Sequence, residues 1–288
     1  MAADTIHQCP LCELRFTYRT ELDDHRRADH APAVRDDVPA PVAAGIVVPV
    51  DPFRPSTMAV SVAAVLARQA GLGVDIVTAP PYWLPQADVT TRVSQARAAG
   101  VPWAGGEVLR TTSDPAAAIV DHVRRHRAAM VCMATRGRAQ FGEMVLGSVS
   151  AGVVRSSPVP VLLVGPRVEH FGPRVERIVA CLDGSETAER ALLVARDLAA
   201  QLSAELVLVR VVCGGEADDL PTPAAGVELV HDDSPARALA RYGGDRGDTV
   251  LAMATRDRGA FRRLVLGSVS RTVVHQAACP VLVVPVRA

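Results

Sequence analysis

One stretch of this sequence occurs twice, and that limits what the chain can fold into. Residues 133–150 read MATRGRAQFGEMVLGSVS and residues 253–270 read MATRDRGAFRRLVLGSVS. Gly147 and Gly267 lie 120 positions apart, and so do Pro160 and Pro280. With 288 residues to divide, two copies of one domain are expected. Each copy follows an apolar run, Val131-Cys132-Met133 or Val250-Leu251-Ala252-Met253, that reads as a buried strand. Each ends in Gly-Ser before a segment expected to be helical, residues 149–155 and 269–276. The first N–H groups of a helix have no acceptor inside it and point back toward the loop. Gly lets a ligand approach that backbone closely, and Ser can cap the helix or bind an oxygen. With the helix dipole, this suits a phosphate. An ordinary capped turn has the same pattern, and duplication preserves a turn as readily as a site.

Around each copy, apolar runs alternate with helix-forming segments. In the first half the expected strands are 45–50, 74–79, 107–109, 131–133 and 159–164. The expected helices are 57–69, 87–99, 115–127 with Asp114 as cap, and 149–155. The second half repeats the plan with strands 178–182, 205–212, 227–230, 250–253 and 281–284. Its helices are 187–202, 235–242 with Ser234 as cap, and 269–276. Asp51 and Asp183 end the first strand of each half, 132 positions apart against 120 for the two glycines. The second half is therefore shortened, and the Gly-, Pro- and Asp-rich stretch 213–226 predicts loss of its second helix. Strands alternating with helices imply right-handed crossovers and a parallel sheet. Ligands of such sheets sit at the carboxyl ends of strands where strand order reverses. The last strands, 159–164 and 281–284, are apolar and expected near sheet edges, which predicts that the halves pack through them.

The repeated stretch resembles the nucleotide loop of the universal stress protein family: Gly, two residues, Gly, nine residues, Gly, then Ser or Thr. The first copy supplies Ala134, Gly137, Gly147 and Ser148, and the second supplies Ala254, Asp257, Gly267 and Ser268. The spacing is met twice, with Ala for the first Gly in both copies and Asp257 for the middle Gly in the second. The resemblance covers roughly residues 44–286 and implies an α/β fold: two tandem doubly wound domains of five parallel strands, residues 44–166 and 174–288, joined as a pseudo-two-fold dimer. It also implies an adenine nucleotide, ATP, at Val50, Asp51, Ala79, Ala134, Arg136, Gly137, Arg138, Gly147, Ser148, Val149 and Ser150. A weaker second site would use Asp183, Ala254, Arg256, Gly267, Ser268, Val269 and Ser270. The family uses the Asp at the adenine–ribose end; as a plain strand-end cap it would look the same. Each half departs from the pattern once more. Pro52 follows Asp51 where the family commonly has Gly, and Pro lacks an N–H and fixes φ. Asp257 would set a carboxylate toward the phosphates.

Residues 1–31 carry a different signal. Cys9 and Cys12, then His25 and His30, form a C-x2-C-x12-H-x4-H spacing, which resembles C2H2 zinc fingers. Phe16 and Leu22 fall where that family places its core residues. Two thiolates from a tight turn and two imidazoles from one helix face close a tetrahedron around Zn2+. In DNA-reading fingers the base-contacting positions would fall on Tyr18, Glu21 and Asp24. The segment has four Arg against six acidic residues, a sum of −2, so it lacks the phosphate contacts that dominate DNA affinity. Docking of a protein partner, or a structural or zinc-sensing role, is expected instead. A Pro- and Asp-containing linker, residues 32–43, follows.

Formal net charge is zero, so bulk electrostatics favour neither nucleic acid nor a membrane surface. No apolar run reaches the roughly 18 residues of a membrane span, and no secretory leader is expected. All 31 basic residues are Arg, which excludes a Lys-bearing P-loop and any Schiff-base lysine. Cys132, Cys181, Cys213 and Cys279 lie in or beside apolar strands and read as free thiols, consistent with the cytoplasm. His122 and His126, four apart on a helix, show no third ligand and are expected on the helix surface. The expected function is a non-enzymatic nucleotide-binding protein of the stress response, with at most weak ATP hydrolysis. A slow ATPase and a finger-led regulator without nucleotide are the other classes, and a homo-oligomer is left open.

Overall fold

The computed structural model describes residues 7–8, 15–16, 45–53, 57–80, 89–109, 114–135, 146–214, 226–244, 246–257 and 264–285. A small antiparallel pair comes first: β1 (His7–Gln8) and β2 (Arg15–Phe16). The first half then runs β3 (Ile46–Pro49), α1 (Thr57–Ala70), β4 (Val74–Thr78), α2 (Thr90–Ala98), β5 (Ala104–Val108), α3 (Pro115–Arg125), β6 (Met130–Ala134), α4 (Ser148–Ser156) and β7 (Val161–Val164). The second runs β8 (Arg177–Leu182), α5 (Glu186–Leu202), β9 (Glu205–Val212), β10 (Val227–His231), α6 (Pro235–Tyr242), β11 (Thr249–Ala254), β12 (Arg256–Asp257), β13 (Leu264–Val265), α7 (Ser268–Gln276) and β14 (Val281–Val284). β12 and β13 form a separate antiparallel pair.

The two halves share a single sheet of ten strands, ordered β10-β9-β8-β11-β14-β7-β6-β3-β4-β5. Within each half of this sheet every pairing is parallel. At the seam, β14 pairs β7 antiparallel, with Leu282 opposite Leu162. The expected packing through the last strands is therefore a direct backbone ladder. Parallel strands buried on both faces need continuous apolar runs, and Ile46–Pro49, Val161–Val164 and Val281–Val284 are buried at every position. One face of the sheet carries α1, α2 and α5; the other carries α3, α4, α6 and α7.

Most element bounds fall within a few residues of the expected ones. Asp114 caps α3 as expected, its Oδ1 accepting from the Ala117 N–H at 3.0 Å. The Ser234 side-chain cap is not made: Ser234 is the N-cap of α6 without a side-chain bond, and Asp232 Oδ1 accepts from the Ser234 N–H instead. The third strand is β5 at Ala104–Val108, earlier than expected, because Val74 to Thr78 align with Ala104 to Val108. Helix α2 is described from Thr90 only, and residues 81–88 and 215–225 lie outside the described residues. The expected loss of a helix after β9 falls there, as do most of the proposed finger and linker. Among the described residues no helix is long and apolar enough to cross a membrane. Cys132, Cys181 and Cys279 are buried free thiols and Cys213 is half-buried. Burial pushes Cys181 and Cys279 up to about 12 and Cys132 in the same direction, so these thiols are poor nucleophiles.

Polar latches and close approach lock the halves together. The Gln69 side chain, near the end of α1, donates to the Val175 and Leu202 carbonyls and accepts from the Val175 N–H at 2.8 Å. Arg68 donates to the Pro173 carbonyl. Gly165, just past β7, sits so close to α7 that a Cβ would stand 2.1 Å from the Val274 carbonyl oxygen. Gly165→Ala should therefore cost about 1–3 kcal/mol through overpacking. Thermal unfolding should show one transition at a lower midpoint for the whole core; an unchanged midpoint would refute the seam packing.

Candidate functional site

Strand order reverses between β3 and β6 in the first half and between β8 and β11 in the second. At such a switch point the two flanking crossovers leave in opposite directions and open a crevice at the strand ends. In the first half Asp51 follows β3, Ala79 follows β4 and Ala134 ends β6. Helix α4 starts beside them, its N-cap being Gly147. In the second half Asp183 follows β8, Ala254 ends β11, and α7 starts from Gly267. The structure thus brings Val50, Asp51, Ala79, Ala134, Gly147, Ser148, Val149 and Ser150 to one switch point, and Asp183, Ala254, Gly267, Ser268, Val269 and Ser270 to the other. Arg136, Gly137 and Arg138 lie outside the described residues. Arg256 and Asp257 are described as backbone of β12.

Of the two roles open to the serines, capping is not made: the glycines hold the N-cap positions. Ser148 and Ser268 are the first helical residues and are exposed. The helical ladder begins with the Ala151 N–H to Gly147 carbonyl bond at 2.8 Å, and with Arg271 to Gly267 at 3.0 Å. The N–H groups of Ser148 to Ser150 and Ser268 to Ser270 precede that ladder. Gly147 has φ −56° and ψ 150°, and Gly267 φ −62° and ψ 164°. Any residue adopts those angles, and Ser, Asn or Asp would cap better. Neither glycine is demanded by backbone conformation. Ser150 ties the helix to the sheet, its Oγ donating to the Ala134 carbonyl at 3.3 Å. Thr135 and Thr255 extend the ladder past β6 and β11, each N–H donating to the last residue of the neighbouring strand at 3.0 Å.

The two Asp sites differ. Asp51 Oδ1 accepts from the Phe53 N–H at 2.8 Å across Pro52. Asp183 accepts from the Ser185 N–H and hydroxyl, and Ser185 Oγ accepts from the Ala188 N–H, capping α5. Gly184 has φ +79°, which Pro52 cannot adopt with its ring fixed near −65°. The two turns therefore cannot share a shape. The Arg210 guanidinium covers Gly184, with Nη2 3.1 Å from where a Cβ would stand. Its register equivalent in the first half is Thr78, whose hydroxyl donates to the Val50 carbonyl at 3.0 Å. Sequence reading missed Arg210, Thr78 and Phe53, the last an aromatic ring 52% exposed at the first switch point. The Phe53 signal was its place two after Asp51; Thr78 and Arg210 needed the strand register. A cavity of about 520 Å3 lined by Arg167, Arg237, Arg241 and Gln276 lies at the opposite end of α7 and is not part of either site.

This is a doubly wound α/β protein with two switch-point helix N-termini on one sheet. The sequence profile of the universal stress protein family matches residues 45–165, 174–232 and 221–285. The chain belongs to the universal stress protein family, with tandem repeats. It is similar to universal stress protein Rv2005c of Mycobacterium tuberculosis (27% identity over 187 residues, 55% of this chain and 62% of the relative). It is also similar to Rv2623 of the same organism (25% over 215 residues, 64% of this chain and 69% of the relative). The chain thus matches less than two thirds of the length of the first of these. Among solved structures, a universal stress protein from Archaeoglobus fulgidus superposes with a TM-score of 0.55 at 20% identity, covering 83% of this chain and 98% of that one. A putative universal stress protein from Pseudomonas aeruginosa gives 0.61 at 13%, covering 85% and 94%.

Proposed function

We propose that this protein binds an adenine nucleotide, ATP, at the first-half switch point, and that it acts in the stress response as a binding or regulatory protein with at most weak hydrolysis. The observation that carries this reading is the glycine N-cap of α4. Gly147 stands where backbone angles permit any residue and where a capping side chain would be more stabilising, so its advantage is access to the N–H groups of Ser148 to Ser150. Those N–H groups and the helix dipole suit the phosphates. Asp51, Val50 and Ala79, at the ends of β3 and β4, would hold the adenine–ribose end, with Phe53 as an apolar surface beside it. Arg136, Gly137 and Arg138 complete the loop of the family pattern. Binding without turnover is the role proposed. The setting expected for such a protein is the cytoplasm.

The second site is the weaker. Asp257 would face the phosphates, and Asp183 already accepts two bonds from Ser185. At ~4 Å and an effective dielectric near 20, two unit charges repel by ~4 kcal/mol, and even ~1.4 kcal/mol weakens binding tenfold. Calorimetry with ATP should show one tight site per chain. Gly147→Val should abolish it, since the cap angles accept Val and only the approach to the backbone is lost. Asp257→Gly should strengthen the second site. Two equal sites, or tight binding that survives Gly147→Val but not Gly267→Val, would overturn the assignment.

The N-terminal segment is proposed to hold Zn2+ through Cys9, Cys12, His25 and His30. The β1–β2 register supports this: Gln8 lies opposite Arg15, which brings together the two ends of the segment that contains both cysteines. Two thiolates must come from a closely approaching segment to share an ion. When bound, zinc would supply folding energy rather than chemistry, ~10–16 kcal/mol of apparent stabilisation in finger peptides. With its acidic balance, the finger would dock a protein partner, not DNA. Cys12→Ser should release the metal and leave residues 1–35 protease-sensitive while the core stays intact; retention of that zinc equivalent would refute the ligand set.

A further inference from the structure

Four side chains on the outer part of the first half were not brought together by sequence reading. His122 and His126, expected on the helix surface, are not alike: His122 is fully buried and His126, the C-cap of α3, is exposed. Asp75, the second residue of β4, points to the face that α3 covers, because its neighbours Val74 and Ile76 pack on the opposite face. Glu107 on β5 lies in register with Val77 and so shares that face. His122 Nε2 donates to Asp75 Oδ2 at 2.7 Å, and His122 Nδ1 stands 3.8 Å from Glu107 Oε2. The His126 ring stacks on His122 with centroids 4.1 Å apart. One donor atom from each of Asp75, His122 and His126 lies within 4.8 Å of the others.

The buried Nδ1 of His122 has no hydrogen-bond partner. A carboxylate only accepts, so Asp75 fixes a proton on Nε2, and Nδ1 is the ring nitrogen left to ligate. Nδ1 faces the Glu107 carboxylate, and 3.8 Å is too long for a hydrogen bond. It is close to the spacing of two ligands on one ion: donors ~2.1 Å from a tetrahedral metal stand ~3.4 Å apart.

We propose that Asp75, Glu107, His122 and His126 form a divalent transition-metal site of the zinc class, separate from both the switch points and the N-terminal cysteines. His122 Nδ1 and Glu107 are the inner ligands. His126 joins from the exposed rim by a rotamer change that breaks the stack. Asp75 is a positioning residue: its carboxylate orients the ligating imidazole, an arrangement common around metal-bound histidine. The Asp75 and Glu107 side chains are 17% and 42% exposed, so an ion can enter from solvent.

The repeat supplies an internal control. By strand register and by the 120-residue offset, the equivalent positions of the second half are Val207, Glu228, Tyr242 and Arg246. There Tyr242 donates its hydroxyl to Glu228, and Arg246 pairs with Asp248. The same packing problem is thus solved without a buried histidine or an inward Asp, so the fold does not require the donor set of the first half.

The test uses the full chain with Cys9→Ser and Cys12→Ser, so that the finger thiolates do not compete, and Co2+ as the probe. One Co2+ per chain should bind, with d–d absorption and no thiolate charge-transfer band. His126→Ala, at an exposed position, and Glu107→Gln should each weaken binding at least tenfold while the metal-free melting temperature stays unchanged. Asp75→Asn should weaken it by roughly 10–100-fold with the stoichiometry kept. Absence of stoichiometric Co2+ binding, or equal affinity in the His126→Ala and Glu107→Gln chains, would overturn the proposal.

Discussion

The antiparallel ladder between β7 and β14 is the interaction on which the rest of the molecule depends. Without it each half would end in an open apolar edge, with unpaired N–H and C=O groups that seek another chain. With it, Val161, Leu162 and Leu163 and their partners Val281, Leu282 and Val283 are each at most 1% exposed. Burying a Val or Leu side chain fully is worth roughly 1.5–3 kcal/mol, so six of them at one seam weigh as much as the net stability of an ordinary domain. The backbone carbonyls and N–H that Gln69 bonds and the tight approach at Gly165 add direction to an otherwise apolar seam. The ladder also fixes the two switch points: β6 is the next strand to β7 and β11 the next to β14, so the helix N-termini at Gly147 and Gly267 are placed symmetrically about it.

A symmetric scaffold does not make the two halves equivalent. Pro52 and Gly184 force different turns after the first strand. Thr78 closes on the Val50 carbonyl, where Arg210 reaches over Gly184. Asp75 and His122 make a polar, partly unsatisfied cluster where Val207 and Tyr242 make a plain one. Each pair occupies one backbone position in register, so the differences are chemical rather than architectural. Duplication left one sheet with two sites under different constraints.

Much of the fold was legible because its signals are local. Buried parallel strands read as short apolar runs, Asp114-Pro115 marks a helix start, and the doubled Gly-Ser stretch set the repeat. The seam was legible too, since the last strand of each half is apolar and was expected near a sheet edge, where unpaired backbone groups seek a partner. The His122 site was not. Its spacing of four was visible, but its partners Asp75 and Glu107 sit on two different strands, and only the register of β4 against β5 and the placement of α3 bring them together. The role of the serines was left open for a related reason: Ser148 and Ser268 stand one residue inside the helix, a distinction of a single position that sequence pattern does not resolve. Gly137, Arg136 and the finger ligands rest on spacing and resemblance, and the geometry at Gly147 and the β1–β2 register are what the structure adds to them.

The central claim is that one sheet presents two helix N-termini of unequal use. Hydrogen exchange followed by mass spectrometry, with and without saturating ATP, addresses it directly. The account predicts slowed exchange in peptides that carry Ser148 to Ser150 and little change in those that carry Ser268 to Ser270, with the β7 and β14 amides protected in both conditions. Equal protection at the two helix starts, or none at either, would contradict it.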